Sequence, residues 1–396
     1  MKIAMVSENA SPLTPLGGQN VHVAELSTGL ARAGHDVTVY TRQNGTDQPA
    51  VVRAPAGYRV VHVPAGPLRQ STAEPPPHLG EFTTFLERQW RTGRPDVVHA
   101  HFWMSGLASV LAARALDVPV VQTFHTLGVV KRRQQSVEDA GPPERMRLER
   151  LIGRQAARVV ATCSDEVFEL VRMGVARSRV SVVPGGVDIE RFTPGGKPAR
   201  RGPHHRIAAV GRLVPRKGFD IAIAALPALP GTELVVAGGP EPGRLAEDAE
   251  ARRLLRYADR LGVADRVRLV GQVGRADMPA LLRSADAVVC TAWYEPSGLV
   301  PLEAMACGVP VVAAAVGGLT DAVVDGVTGT LVPPKRPDAV AAAVRTLLAD
   351  PALRDAYGIA GSDRARCRYS WDRIADDTYR VYQRTMPAPV IGTETG

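Results

Sequence analysis

The chain has 396 residues, 45% hydrophobic and 22% charged, enough for two domains with separate cores and ordinary for a globular enzyme. Its net charge of +8 comes mostly from isolated arginines, and aromatics make up only 5%, so the clustered basic face and stacking rings of a nucleic-acid binder are missing. Four scattered cysteines without a Cys-x-x-Cys pair suggest neither a zinc site nor a disulfide framework, and no run reaches membrane-spanning length, which predicts a cytoplasmic protein with reduced thiols.

In chain order, short apolar runs alternate with helical patterns, the signature of parallel sheets covered by helices. Strands are expected at 2–6, 36–40, 97–100, 118–123, 158–162 and 180–183, and the series restarts at 206–210, 234–237, 267–270, 287–291 and 309–313. The expected fold is α/β, with two doubly wound Rossmann-like domains at 1–192 and 206–370 facing each other across a cleft. A Gly/Pro/Arg-rich linker is expected at 193–205. Residues 371–386 predict an amphipathic helix crossing back to the first domain, and 387–396, rich in Pro, Gly and Thr, a disordered tail.

Each domain carries a Gly-rich turn after its opening strand. In the first, Gly17 and Gly18 would permit unusual φ values and let N–H groups approach an anion. The spacing is not Gly-x-Gly-x-x-Gly, so a nicotinamide cofactor is not expected. His99 and His101 follow one strand of this domain and His125 another; His125 could donate a hydrogen bond to a sugar hydroxyl, although a histidine at a strand end is more often structural. Arg145, Arg147, Arg150 and Arg154 recur along one helix and read mainly as a solvated face.

In the second domain the opening strand runs into Gly211-Arg-Leu-Val-Pro-Arg-Lys-Gly218, which places Arg212 and Lys217 where α/β ligands bind. Two fixed cations there could neutralise a departing diphosphate. Further on, Glu295 and Glu303 flank a loop that turns into a helix. Pro301 suits the first helical position, placing Glu303 in the first turn, with Gly308 as the stop. The N–H groups of Gly298, Leu299 and Val300 would then form an anion site at the helix start. Alone, such a glutamate pair is more often two solvated helix edges. No Asp-x-Asp occurs in the chain, and the economical reading is phosphate neutralisation without a metal.

Together these elements resemble glycosyltransferase family 4, retaining enzymes of the GT-B fold. The resemblance rests on Glu295/Glu303, Arg212/Lys217 after Gly211, Gly17-Gly18, His125 and the Val316-Gly-Gly-Leu to Asp325-Gly-Val-Thr-Gly329 segment. It implies that Arg212 and Lys217 bind a donor diphosphate, Glu303 the ribose, and Glu295 the transferred sugar. Ser297, Gly298, Leu299 and Val300 would supply donors to sugar and phosphate, and His125 would meet the donor sugar near its anomeric centre. Within the family, Gly17–Val23, His99–Gly106 and Phe124–Lys131 are similar to the inositol-phosphate N-acetylglucosaminyltransferases of mycothiol synthesis. That similarity implies an acceptor site at Asn20, His101, Phe102, Thr126 and Arg147. Phe102 stands where those enzymes have tyrosine, and no lysine follows Val63-Pro64 where theirs binds the acceptor phosphate, so an aminocyclitol acceptor stays open beside inositol phosphate.

The expected partners are a nucleotide sugar, most often UDP-linked in this family, and a small polyol, with no further cofactor, no metal and no nucleic acid. A peripheral-membrane GDP-mannose-dependent transferase acting on phosphatidylinositol is the alternative, although 131–154 is basic and weakly apolar; a nucleotide-sugar binder with a dead site is the non-enzymatic one. Monomer and homodimer both stay open.

Overall fold

The computed structural model describes residues 1–14, 17–68, 78–134, 142 and 144–386. The expected tail at 387–396, Pro15-Leu16 of the first glycine-rich turn, the stretch 69–77 where the acceptor lysine was sought, and 135–141 within the basic stretch lie outside the described residues.

Two units divide the chain, each built on its own sheet. Unit 1 comprises Met1–Thr162, Glu166–Val183 and the chain from Ile374. Its strands are β1 (Lys2–Val6), β2 (Asp36–Arg42), β3 (Val51–Arg53), β4 (Arg59–Val63), β5 (Val97–His101), β6 (Val120–Thr123), β7 (Arg158–Ala161) and β8 (Val180–Val182). They form one sheet in the order β3-β4-β2-β1-β5-β6-β7-β8, parallel except for β3 against β4. Ile3, Ala4, Met5 and Val6 are all buried because a parallel sheet is covered on both faces, which is why β1 reads as an unbroken apolar run. The unit's helices are α1 (Gly18–Arg32), α2 (Leu79–Thr92), α3 (Trp103–Ala113), α4 (Gly128–Gln134), α5 (Arg145–Gln155) and α6 (Ser164–Arg172), whose first two residues belong to unit 2.

Unit 2 holds β9 (His205–Val210), α7 (Phe219–Ala225), β10 (Thr232–Ala237), α8 (Ala249–Arg260), β11 (Val267–Gly271), α9 (Met278–Arg283), β12 (Ala287–Cys290), α10 (Leu299–Ala306), β13 (Val311–Ala314), α11 (Gly318–Ala322), β14 (Gly329–Val332), α12 (Pro337–Ala349) and α13 (Pro351–Tyr369). The order β11-β10-β9-β12-β13-β14 is the doubly wound sequence, reversing direction between β9 and β12. Strands β3, β4 and β14 go beyond the expected set. They are short and carry Arg53, Arg59, His62 or a glycine in place of a clean apolar run.

The chain passes into unit 2 at Pro184, ahead of the glycine- and proline-rich stretch expected to be a linker. That stretch packs on unit 2: Ala199 N–H donates to Ala280 C=O at 2.8 Å, and Arg283 donates to Thr193 C=O at 3.0 Å. The last helix, α14 (Trp371–Gln383), buries Ile374, Ala375, Thr378, Val381 and Tyr382, a stripe at helical spacing. From Ile374 it belongs to unit 1, where Tyr379 stacks on His35 and the Tyr382 hydroxyl lies 2.7 Å from His99 Nδ1.

Candidate active-site residues in the two units

In an open α/β sheet, ligands bind beyond the carboxyl ends of the strands where the strand order reverses. In unit 2 that point lies between β9 and β12, and the residues singled out from the sequence flank it. Lys217 and Glu295 form an ion pair in which each side chain is 14% exposed. Burial by itself would raise the Glu295 carboxyl, but the Lys217 charge and hydrogen bond, the nearby Arg216 and the Ser297 N–H hold it below the usual range. The Ser297 hydroxyl adds a contact at 3.4 Å. Arg212 is exposed beyond β9. Arg216, not anticipated from the sequence, is part-buried and donates to Tyr294 C=O at 3.4 Å.

Glycines let these two loops touch. Gly218 has φ +65°, and a Cβ there would lie 2.1 Å from the Thr291 carbonyl oxygen. Gly218→Ala is therefore expected to destabilise the protein by more than about 2 kcal/mol, combining left-handed strain with a backbone clash. A thermal melt indistinguishable from the parent would contradict this. Gly317 and Gly318 seat the α11 start on the same loop, and Gly318 N–H donates to Glu295 C=O at 2.7 Å.

Helix α10 starts earlier than the sequence suggested. Gly298 caps it in the left-handed conformation, φ +59°, so Leu299 is the first helical residue, Pro301 the third and Glu303 the fifth. Proline is tolerated there because first-turn N–H groups have no partner within the helix. For the same reason the N–H groups of Leu299 and Val300 remain available to an anion. Glu303 thus sits in the second turn, 8% exposed, and burial pushes its carboxyl up to about 7 despite Arg275 and Arg191 nearby. At the other end Gly308, φ +72°, donates to Met305 C=O while Val309 donates to Ala304 C=O, a paired glycine stop.

In unit 1 the reversal lies between β1 and β5. Gly17 caps α1 with extended backbone, φ −133°, so the unusual φ expected of it is not used. What glycine supplies is room: a Cβ on Gly17 would meet Asn20 Oδ1 at 3.2 Å, and Gly18 faces open space. Asn20 donates to Ser11 C=O at 3.0 Å. From α1, His22 meets His125 edge-on at 5.0 Å between ring centres, and His101 at 5.5 Å. His101 is fully buried and bonded to Met5 Sδ and His125 Nε2, so it cannot touch an acceptor directly as the sequence suggested. His125 stays part-exposed. Burial lowers all four ring pKa values, His22 to about 4, His99 to about 3, and His101 and His125 well below 6.5.

Arg145 is the largest departure from expectation. It is 2% exposed and paired with the fully buried Glu149 at 2.7 Å. Its Nη2 donates to Thr126 C=O at 2.6 Å, and its guanidinium lies 4.9 Å over the Phe102 ring. Glu149 receives the Gly128 N–H on both oxygens, at 3.1 and 2.9 Å. The pair therefore clamps the loop carrying His125 and Thr126. Arg147 lies on the exposed face of the same helix. At the end of β1, Glu8 was also missed: it is 3% exposed and pairs with His78 at 2.8 Å and Arg42 at 3.3 Å, and its Oε2 is buried with no partner among the described residues. Among the described residues no group of three or more His, Cys, Asp or Glu is arranged to hold a metal ion, and no helix is long and apolar enough to cross a membrane.

Comparison with known proteins decides what this arrangement belongs to. The family model described as Glycosyltransferase Family 4 matches residues 16–191, and that described as Glycosyl transferases group 1 matches 196–364. D-inositol 3-phosphate glycosyltransferases from Kineococcus radiotolerans and Xylanimonas cellulosilytica are 37% and 39% identical, spanning 97% and 98% of this chain and 95% and 98% of their own. The chain belongs to glycosyltransferase family 4. Among solved structures, this glycosyltransferase is similar to sucrose-phosphate synthase from Thermosynechococcus elongatus, with a TM-score of 0.86 and 30% identity over 96% of this chain and 98% of that one. A glycosyltransferase of lipopolysaccharide biosynthesis, WaaG, shares the fold at a TM-score of 0.70 and 20% identity, over 95% and 99%. The fold of this glycosyltransferase is GT-B, two Rossmann-like parallel-sheet domains, as its sequence led us to expect.

Proposed function

We propose that this glycosyltransferase moves a hexose or N-acetylhexosamine from a nucleoside diphosphate sugar, read as a UDP-sugar, to a small cyclitol, with retention and without a metal. The observation that carries this reading is the Lys217–Glu295 pair beside the α10 start, where unit 2 reverses its strand order. Arg212, Lys217 and the N–H groups of Leu299 and Val300 would take the diphosphate. Glu303 would hold the ribose and Glu295 the sugar, and Gly17, Gly18 and His125 are carried over from the family resemblance as substrate contacts.

Glu295 is kept ionised by Lys217, so it is unsuited to donating a proton. Retention by front-face attack, with the leaving phosphate taking the acceptor's proton, needs no carboxylate nucleophile, so a glycosidase-like acid and nucleophile pair is not our reading. The bond from the anomeric carbon to the diphosphate oxygen breaks as the acceptor oxygen bonds to that carbon from the same face. The acceptor's proton passes to the released diphosphate.

The relatives' name, D-inositol 3-phosphate glycosyltransferase, supports a cyclitol phosphate, met by Asn20, Phe102, Thr126 and Arg147. An aminocyclitol is the second reading, favoured by the unpartnered Glu8 oxygen, which a cationic amine would satisfy. Thermal shifts with UDP-, GDP- and ADP-sugars test the donor. At a hundredfold excess over Kd the right one should stabilise the protein by about 2.7 kcal/mol. Mass spectrometry with inositol phosphate, inositol and aminocyclitols should then show one glycosylated cyclitol. If no donor shifts the melt, or none of these cyclitols gains sugar, the reading fails.

A further inference from the structure

What His125 can offer a substrate depends on which ring nitrogen carries its hydrogen, and the contacts around it decide that. His101 Nε2 lies 2.7 Å from Met5 Sδ, and His101 Nδ1 lies 2.9 Å from His125 Nε2. Both rings are neutral, since burial and the neighbouring imidazoles oppose a positive charge on either. A neutral imidazole carries one N–H, and the other nitrogen is an acceptor. A thioether only accepts, so the His101 nitrogen facing Met5 must hold the hydrogen. The opposite tautomer would set two lone pairs against each other. His101 Nδ1 is then the acceptor, and the hydrogen between the two rings belongs to His125 Nε2.

The neighbourhood fixes this geometry independently of charge. His99 lies against His101 with 4.3 Å between ring centres, and is itself tied to the Tyr382 hydroxyl at 2.7 Å and Thr123 Oγ1 at 2.8 Å. Directly after His101, Phe102 has φ +76° and ψ 159°, a region nearly reserved for glycine, and His125 itself has φ +60°. Two residues at positive φ, just beyond the ends of the paired strands β5 and β6, store strain of about 1–3 kcal/mol each, which persists only where the surroundings over-determine it. Phe102 N–H to Thr123 C=O at 2.8 Å is one of the bonds that do so.

We propose that His101 is a positioning residue that holds His125 as the Nε2–H tautomer, so that His125 meets the substrate with Nδ1 as an acceptor for a polyol hydroxyl. The sequence suggested the reverse, a donating His125. The inference rests on His125 being a substrate contact, and the test separates the two. In the full-length enzyme with 15N-labelled histidine, long-range proton–nitrogen correlation should show His125 with Nε2 protonated and Nδ1 bare, its signals identified by their loss in His125→Asn. A protonated Nδ1 overturns the proposal. Met5→Leu keeps the volume but removes the acceptor of the His101 Nε2–H. It should mix the His125 tautomers and raise one KM by about tenfold, the worth of one hydrogen bond. A rise in donor KM assigns the hydroxyl to the sugar, and a rise in acceptor KM assigns it to the cyclitol. An unchanged tautomer and unchanged constants in Met5→Leu overturn the positioning role. If His125→Asn leaves both KM values and kcat unchanged, the substrate contact itself fails, whatever the tautomer.

Discussion

Replacing Lys217 with alanine is expected to lower turnover at saturating donor by about 10²–10³-fold, the usual loss for one group that stabilises charge on a departing oxygen. The side chain is fixed between the β9 loop and Glu295, so its ammonium needs no reorganisation when diphosphate charge develops. A simpler role is conceivable, in which Lys217 only neutralises Glu295. The double change Lys217→Met with Glu295→Gln, compared with Glu295→Gln alone, separates the two, because the sugar contact of Glu295 is lost from both. If Lys217 only compensates Glu295, the double variant should match Glu295→Gln in turnover. If Lys217 acts on the leaving group, the double variant should turn over far more slowly than Glu295→Gln while keeping its folding stability. Steady-state release of nucleoside diphosphate measures it, and a Lys217→Ala enzyme with parental kcat removes the residue from the mechanism.

The second large effect belongs to stability. Arg145→Met should destabilise unit 1 by about 3–5 kcal/mol, because it strands Glu149 as a fully buried, uncompensated carboxylate. Three other contacts go with it: the bond to Thr126 C=O, the guanidinium over Phe102, and the packing against Gly128. Pairing the change with Glu149→Met should restore much of the loss, since two apolar side chains of similar volume can replace a buried ion pair. Denaturant unfolding of the single and double variants, compared as a cycle, tests this. An Arg145→Met protein as stable as the parent would mean that the pair is solvated in solution.

Arg145 also shows how far the sequence could be read. The buried positions of α5 are Arg145, Glu149, Ile152 and Gly153, spaced i, i+4, i+7 and i+8. The stripe was present in the sequence, and extending it back from Ile152 reaches Glu149 and Arg145. A charge-based reading takes these arginines mainly as a solvated face, because it does not ask whether two opposite charges four residues apart share the apolar face. The unit 2 elements were plainer. Arg212, Lys217 and Glu295 sit on loops set by strand ends and glycines, which local sequence specifies well. Pro301 misled by two positions, because Gly298 starts the helix in the left-handed conformation, packed so closely on Gly318 that a Cβ would lie 2.9 Å from its carbonyl oxygen, a neighbour that spacing along the chain does not reveal. The His101–Met5 contact was invisible for the same reason: it joins β1 to β5 through sheet pairing, not through spacing along the chain.

The measurement that bears most directly on the central claim is the stereochemistry and stoichiometry of one complete transfer, followed by proton NMR with the matched donor and cyclitol. The account predicts a glycoside with the anomeric configuration of the donor, one nucleoside diphosphate released per glycoside formed. An inverted linkage, or diphosphate released with free sugar and no glycoside, would contradict it.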